Sequence, residues 1–160
     1  RTAKSTASKS ILPIHPHPPK EREHMSVEEN KAIIRQFYAA IQREDFEVVA
    51  SLCHKDFKFY LQVDTPIFGS EGFIQSEKKN FAAFEGFIFK IETLLAEGDQ
   101  VAAYMTFDGR QSGELEGYET KKGRAHFSLM MLLTIADGKI IEKRAHFDRM
   151  DILEQLNTAA

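Results

Sequence analysis

The run Gly123-Arg124-Ala125-His126-Phe127-Ser128-Leu129-Met130-Met131-Leu132-Leu133-Thr134-Ile135-Ala136, the dipeptide Asp137-Gly138, and the run Lys139-Ile140-Ile141-Glu142-Lys143-Arg144-Ala145-His146-Phe147 decide the fold. Two extended segments joined by Asp-Gly form a β-hairpin, because the two-residue turns that match strand twist need positive φ, which Asp and Gly tolerate. In the first run Ala125, Phe127, Leu129, Met131, Leu133 and Ile135 alternate onto one apolar face, and His126, Ser128, Met130, Leu132 and Thr134 form a mixed one. The apolar face is predicted to meet helices. In the second run strict alternation puts Ile140, Glu142, Arg144, His146 and Asp148 on one face and Ile141, Lys143, Ala145 and Phe147 on the other. With the first of these sets inward, the interior becomes a polar-tipped cavity.

Working outward, two more extended runs precede the hairpin, 86–96 and 100 to about 112, separated by Gly98-Asp99 and followed by the polar stretch Ser112 to Gly123. Val101, Ala103, Met105 and Phe107 supply their inward set. Near the start of the domain, Ser26-Val27-Glu28-Glu29 is a capping box, with apolar positions following at Ile33, Ile34, Phe37, Tyr38 and Ile41. Arg43-Glu44-Asp45 breaks that helix, and Phe46, Val49, Ala50, Leu52 and Cys53 give a short second one. Phe57 to Val63 alternates as a strand, Asp64-Thr65-Pro66 with Gly69 and Gly72 reads as a loop, and 71–84 returns to helical spacing through Phe73, Ile74, Phe81 and Phe84. Met150 to Leu156 is a closing helix. Antiparallel strands after helices predict an α+β fold with the helices on one side of the sheet.

A chain of 160 residues, 42% hydrophobic, is one domain with a real core. Its single cysteine, Cys53, excludes an intramolecular disulfide and a cysteine-based metal cluster, and fits a reducing, cytoplasmic setting. The longest apolar stretch, Leu129 to Leu133, falls far short of the roughly 18 residues of a membrane span. Residues 1–24 carry five Lys/Arg against two acids, +3, and the remainder carries 16 against 22, −6. An acidic body argues against nucleic-acid binding, which needs clustered cations. Residues 1–24 also hold four of the five prolines and lack periodicity, so they read as a flexible extension (a tag, a leader or a read-through) ahead of a domain at 25–160. His15 and His17 within it read as incidental.

Asn30-Lys31 with Phe37-Tyr38, Asp56-Phe57-Lys58-Phe59, Gly69-Ser70-Glu71-Gly72-Phe73, Ala96-Glu97-Gly98-Asp99-Gln100-Val101-Ala102, Asp137-Gly138-Lys139-Ile140-Ile141-Glu142 and Phe147-Asp148 with Gln155-Leu156 fall in the order of the SnoaL-like polyketide cyclases. The chain resembles that family, within the nuclear transport factor 2-like superfamily, over residues 27–157. The resemblance implies a cone-shaped barrel: a curved antiparallel sheet wrapped around the N-terminal helices, a pocket at the open end, and a homodimer through the outer sheet face. It also implies that the acid matching Asp148 moves protons in an intramolecular aldol closure. Three positions depart from the family: Met131 replaces a pocket histidine, Arg144 a tryptophan and Tyr60 a histidine.

Asp148 has two readings, an N-cap for the closing helix or an acid/base in a pocket. His146 is placed to tune it. Arg144 can bind an anion or pair with Glu142 or Asp148, and an arginine beside Asp148 lowers its pKa, which opposes a general-base role. Tyr60 can donate to an oxyanion, as tyrosine does in ketosteroid isomerase, whereas Tyr104 and His126 fall on the outer face. Phe37, Phe59, Phe84, Phe107 and Phe127, with Met105 and Met131, serve either as core or as the lining of an apolar ligand cavity. Gly69-Ser70-Glu71-Gly72 is too short for a phosphate loop, the histidines are scattered, and no activated serine motif occurs, so no cofactor and no metal are expected. The expectation is a cofactor-independent cyclase, isomerase or dehydratase acting on a small apolar carbonyl compound. The alternatives are a non-catalytic ligand-binding or interaction protein and a limonene-type epoxide hydrolase, for which Asp148 and Arg144 lack a secure second acid.

Overall fold

The capping box sets the first helix as the sequence predicts: the Ser26 Oγ accepts from the Glu29 amide at 3.2 Å and the Ser26 amide donates to Glu29 Oε2 at 2.7 Å. This computed structural model describes residues 25–158 except 62, 116, 118, 120 and 121, and of 158 the backbone only. The extension expected at 1–24 lies outside the described residues. Helix α1 (Val27–Gln42) is followed by α2 (Phe46–Leu52), β1 (Cys53–Tyr60), β2 (Pro66–Phe68), α3 (Gly69–Ala83), β3 (Ile88–Glu97), β4 (Gln100–Arg110), β5 (Arg124–Ala136), β6 (Lys139–His146) and α4 (Arg149–Thr158).

The strands form one curved, unclosed sheet in the order β2-β1-β6-β5-β4-β3. Every pairing is antiparallel except β1 with β6, which run parallel and so join the first strand to the last. Two features differ from the sequence reading. The loop expected at 64–72 contains β2, which pairs Phe59 with Ile67 at the sheet edge, and its glycines open α3. Cys53, expected to end α2, instead begins β1.

The Asp137-Gly138 turn has φ of 50° and 73°, the left-handed pair the hairpin demands. Just beyond it the register shifts. Ile135 pairs with Ile140, but Thr134 pairs with Glu142 and Leu133 with Lys143, leaving Ile141 as an extra residue. That bulge splits the expected alternation. Ile140, Lys143 and Ala145 are buried on the concave face, Glu142 and Arg144 lie on the convex one with Thr134 and Leu132 as neighbours, and His146 ends the strand exposed at the cavity's rim.

The concave face meets α1, α2 and α3. Ile34, Phe37 and Ile41 of α1 and Phe73 of α3 are sealed against Val101, Ala103, Met105 and Leu133 of the sheet. Phenylalanines fill the space in contact, with Phe73 stacked on Phe37 at 5.6 Å and edge-on to Phe59 at 5.0 Å, and Phe107 stacked on Phe127 at 4.9 Å. Two side-chain amides fix α1 to the far edge. Asn30 Nδ2 donates to the Gly98 carbonyl at 2.9 Å. Gln42 donates to the Phe87 carbonyl at 2.8 Å and accepts from the Phe89 amide at 2.7 Å, satisfying backbone groups of the edge segment as a further strand would.

Candidate functional site

Glu77 lies on the apolar stripe of α3, one turn after Phe73 and one before Phe81, so the packing that buries those rings carries a carboxyl inward with them. The β6 bulge brings Lys143 in from the opposite side. The two charges share the inner wall of a cavity of about 450 Å³ whose sides are aromatic and aliphatic, among them Phe59, Phe84, Phe107, Phe127 and Met131. Exposed His146, Phe147 and Arg149 stand at its mouth, with Ile152 and Leu153 of α4 closing one side.

Both charged groups are nearly sealed: Glu77 is 7% exposed and Lys143 2%. Glu77 Oε2 has no hydrogen-bond partner, and behind it the Tyr38 hydroxyl has none either. Lys143 donates no hydrogen bond and makes no ion pair within 4.0 Å among the described residues. Its Nζ instead lies 4.2 Å from the Phe59 ring centre and 4.9 Å from that of Phe73.

Desolvation dominates their titration. Burial raises the Glu77 carboxyl above its ordinary value, with the Lys143 charge and Asn80 pulling the other way. Burial lowers Lys143 from 10.5 to about 8, opposed by the charges of Glu77 and Cys53. Tyr38 is held well above its usual range by burial and by Glu77, and the Cys53 thiol is pushed up to about 12 by burial. The arrangement is a carboxyl able to give and take a proton beside an amine that is partly neutral near physiological pH, both in an apolar enclosure.

The structure divides the residues singled out from the sequence. Phe59, Phe107, Phe127, Met131 and His146 line the cavity. Phe37 and Met105 are fully buried core outside the lining. Arg144 and Tyr60 meet each other instead, the guanidinium 4.1 Å from the ring centre, and Arg144 Nε donates to Glu142 Oε1 at 2.7 Å on the convex face. Asp148 is exposed and accepts from the Met150 and Asp151 amides at 3.0 and 3.1 Å, an N-cap for α4. Tyr104 and His126 are on the outer face as expected. Glu77 and Lys143 were missed as site residues, although each is a charge placed on an otherwise apolar periodic set, the signal that finds them. Among the described residues no group of three His, Cys, Asp or Glu side chains comes together to hold a metal.

This architecture is the nuclear transport factor 2-like α+β fold. Residues 32–156 match the model of the SnoaL-like polyketide cyclase family, and the chain belongs to that family. Among solved structures it is similar to a SnoaL-like polyketide cyclase candidate from Jannaschia sp. CCS1, at 19% identity and a TM-score of 0.77 over 88% of this chain and 98% of that one. AclR of Streptomyces galilaeus, a hydroxylase candidate, aligns at 24% identity and a TM-score of 0.74 over 82% and 98%. An LEH-like epoxide hydrolase of M. tuberculosis aligns at 22% and 0.66 over 83% and 92%. At these identities the likeness concerns the fold. No curated protein matches the sequence.

Proposed function

We propose that this protein is a cofactor-independent enzyme that moves a proton on the carbon beside the carbonyl of a small, largely apolar compound, in an isomerisation, cyclisation or dehydration. The observation that carries the reading is the buried Glu77 carboxyl, with its Oε2 unpartnered, on the wall of an aromatic cavity. An apolar enclosure holds a flexible substrate folded and makes ring closure effectively unimolecular, and a carboxyl with a raised pKa is matched to proton exchange nearer neutrality. A second reading gives the proton transfer to Asp148, favoured by its neighbours Phe147 and Arg149, which both line the mouth. The hydrolase reading is less well supported, because Arg144 is engaged with Glu142 and Tyr60.

The test is exchange of the methyl protons of acetophenone with deuterated water, followed by NMR. Catalysed exchange lost in Glu77→Gln and kept in Asp148→Asn supports the first reading, and the reverse supports the second. Saturable binding of the ketone with no catalysed exchange would instead leave a non-catalytic binding protein.

The convex face carries exposed Leu95, Tyr104 and Met130, the last two paired across β4 and β5, with Ala102 and Leu132 between. We propose that this patch joins two copies in a homodimer. Sedimentation should give twice the chain mass, and Tyr104→Glu should return it to one.

A further inference from the structure

Among the described residues Lys143 is the only buried cation, and beyond two ring faces and the charge of Glu77 nothing in the fold engages it. A structural lysine at such depth is expected to meet a carboxylate in contact or saturate its donors on carbonyls, since an unpaired buried ammonium costs several kcal/mol. Lys143 does neither. Two ring faces lie against its Nζ, and neither can accept a conventional hydrogen bond. Its position on β6, opposite Leu133 and two residues before Ala145, faces the same space as Glu77.

We propose that Lys143 is a nucleophile whose amine condenses with the carbonyl carbon of a ketone or aldehyde in the cavity, forming an imine that acidifies the C–H bond Glu77 then breaks. This rests on the proton-transfer reading above and deepens it by naming a covalent step. The nitrogen lone pair forms the N–C bond as the carbonyl π pair moves to oxygen. Proton transfer from nitrogen to that oxygen gives the carbinolamine, and protonation of its hydroxyl from solvent with loss of one water leaves the protonated C=N bond. The adjacent carbon then gives its proton to the Glu77 carboxylate, and the C–H electron pair flows through the new C=C bond onto nitrogen. Reprotonation at carbon and hydrolysis, which consumes one water, release the rearranged carbonyl compound and free Lys143. No oxidant, reductant or further co-reactant is needed.

The enclosure supports this chemistry. With the amine at about 8, roughly a tenth is unprotonated at neutral pH, against well under a thousandth for an ordinary lysine. The groups that face it are Glu77 from α3 and Cys53 from β1, with Tyr38 of α1 behind Glu77. A cavity of about 450 Å³ accommodates a small ketone together with the tetrahedral intermediate.

The probe is benzoylacetone, a β-diketone whose condensation with a lysine gives a stable conjugated enaminone. The full chain should gain a near-ultraviolet band and the mass of one diketone less one water, mapped by peptide sequencing to Lys143, and Lys143→Met should gain neither. The wild-type labelling site is itself diagnostic, so the test survives a poorly folded variant. Labelling confined to exposed lysines such as Lys55 would overturn the proposal. So would acetophenone exchange that persists undiminished in Lys143→Met, while leaving the proton-transfer reading intact. An adduct on Lys143 without any acetophenone exchange would uphold the nucleophile and refute the proton transfer.

Discussion

Leu133 of β5 sits directly across from Lys143 of β6, a pairing that exists because Ile141 is an extra residue in the second strand. Carried up from the Asp137-Gly138 turn without the bulge, the register would set Leu133 against Glu142 and Met131 against Arg144. One residue therefore decides which charges face the cavity, since a single step of register exchanges the two faces of a strand. Deleting Ile141 should therefore leave the cavity wall as it is, because Glu142 then follows Ile140 directly and the pairs Thr134–Glu142, Leu133–Lys143 and Leu132–Arg144 are kept as a regular ladder. The deletion variant should keep a cooperative unfolding transition, and loss of that transition would refute the bulge argument.

Replacing Lys143 with Met should leave the fold as stable or make it more so near neutral pH, because an apolar chain of similar length takes the place of an unpaired buried charge. The effect should depend on pH. The native group titrates near 8 and the unfolded one near 10.5, so between those values the unfolded chain binds more protons and stability rises with pH. The variant's advantage should be greatest below pH 8 and shrink toward 10.5, by about 3 kcal/mol for a shift of that size. Cys53 acts in the opposite direction between 9 and about 12, where the native thiol stays protonated, so the comparison is between the two proteins at each pH. Urea titrations across that range measure it.

Glu77 is one of the influences that keep the Lys143 pKa from falling further. In Glu77→Gln the Lys143 amine should titrate below about 8, and its labelling by benzoylacetone at neutral pH should speed up or hold while acetophenone exchange disappears. A pH profile of labelling that is identical in both proteins would show that the two groups do not sense each other.

Asp148 caps α4 through two backbone amides. Asp148→Ala should cost about 0.5–2 kcal/mol, and Asp148→Asn far less, since asparagine caps equally well. Neither should alter labelling of Lys143. Unfolding midpoints and the adduct yield check the two halves of this expectation separately.

The Gln42 amide bridges Phe87 and Phe89 at the edge of the sheet. Gln42→Ala leaves a half-buried carbonyl and amide without partners, at about 1–3 kcal/mol for an unsatisfied buried group. Hydrogen exchange at the Phe89 amide should accelerate ahead of that in β5, and equal rates would place the clamp's contribution elsewhere.

Much of this fold was legible because its signals are local. The Ser26 capping box, the Asp137-Gly138 turn and the inward sets of β4 and β5 all appear where periodicity put them. Strand β2 escaped notice because three residues beginning with Pro66 carry no alternation to read, and its pairing with β1 is a tertiary fact. The site was less legible for one physical reason. Extending the alternation of β6 from Ile140 points Arg144 and His146 inward, and a bulge after Ile140 has no signature in Ile141 itself, which fits either register. Glu77 was readable in principle, as an acid on the Phe73, Ile74 and Phe81 stripe. A lone charge on such a stripe is usually a residue at the stripe's edge, and only the depth of the packing separates the two cases.

The most direct test of the central claim, that the cavity wall holds a carboxyl kept from ionising at its ordinary pH and sensing the amine opposite, is an NMR titration of the Glu77 carboxyl in wild type and in Lys143→Met. The account predicts a midpoint above the usual 4.5 in the wild type and a further rise in the variant, where the ammonium that lowers it is gone. A midpoint at or below 4.5, unmoved by the substitution, would contradict it.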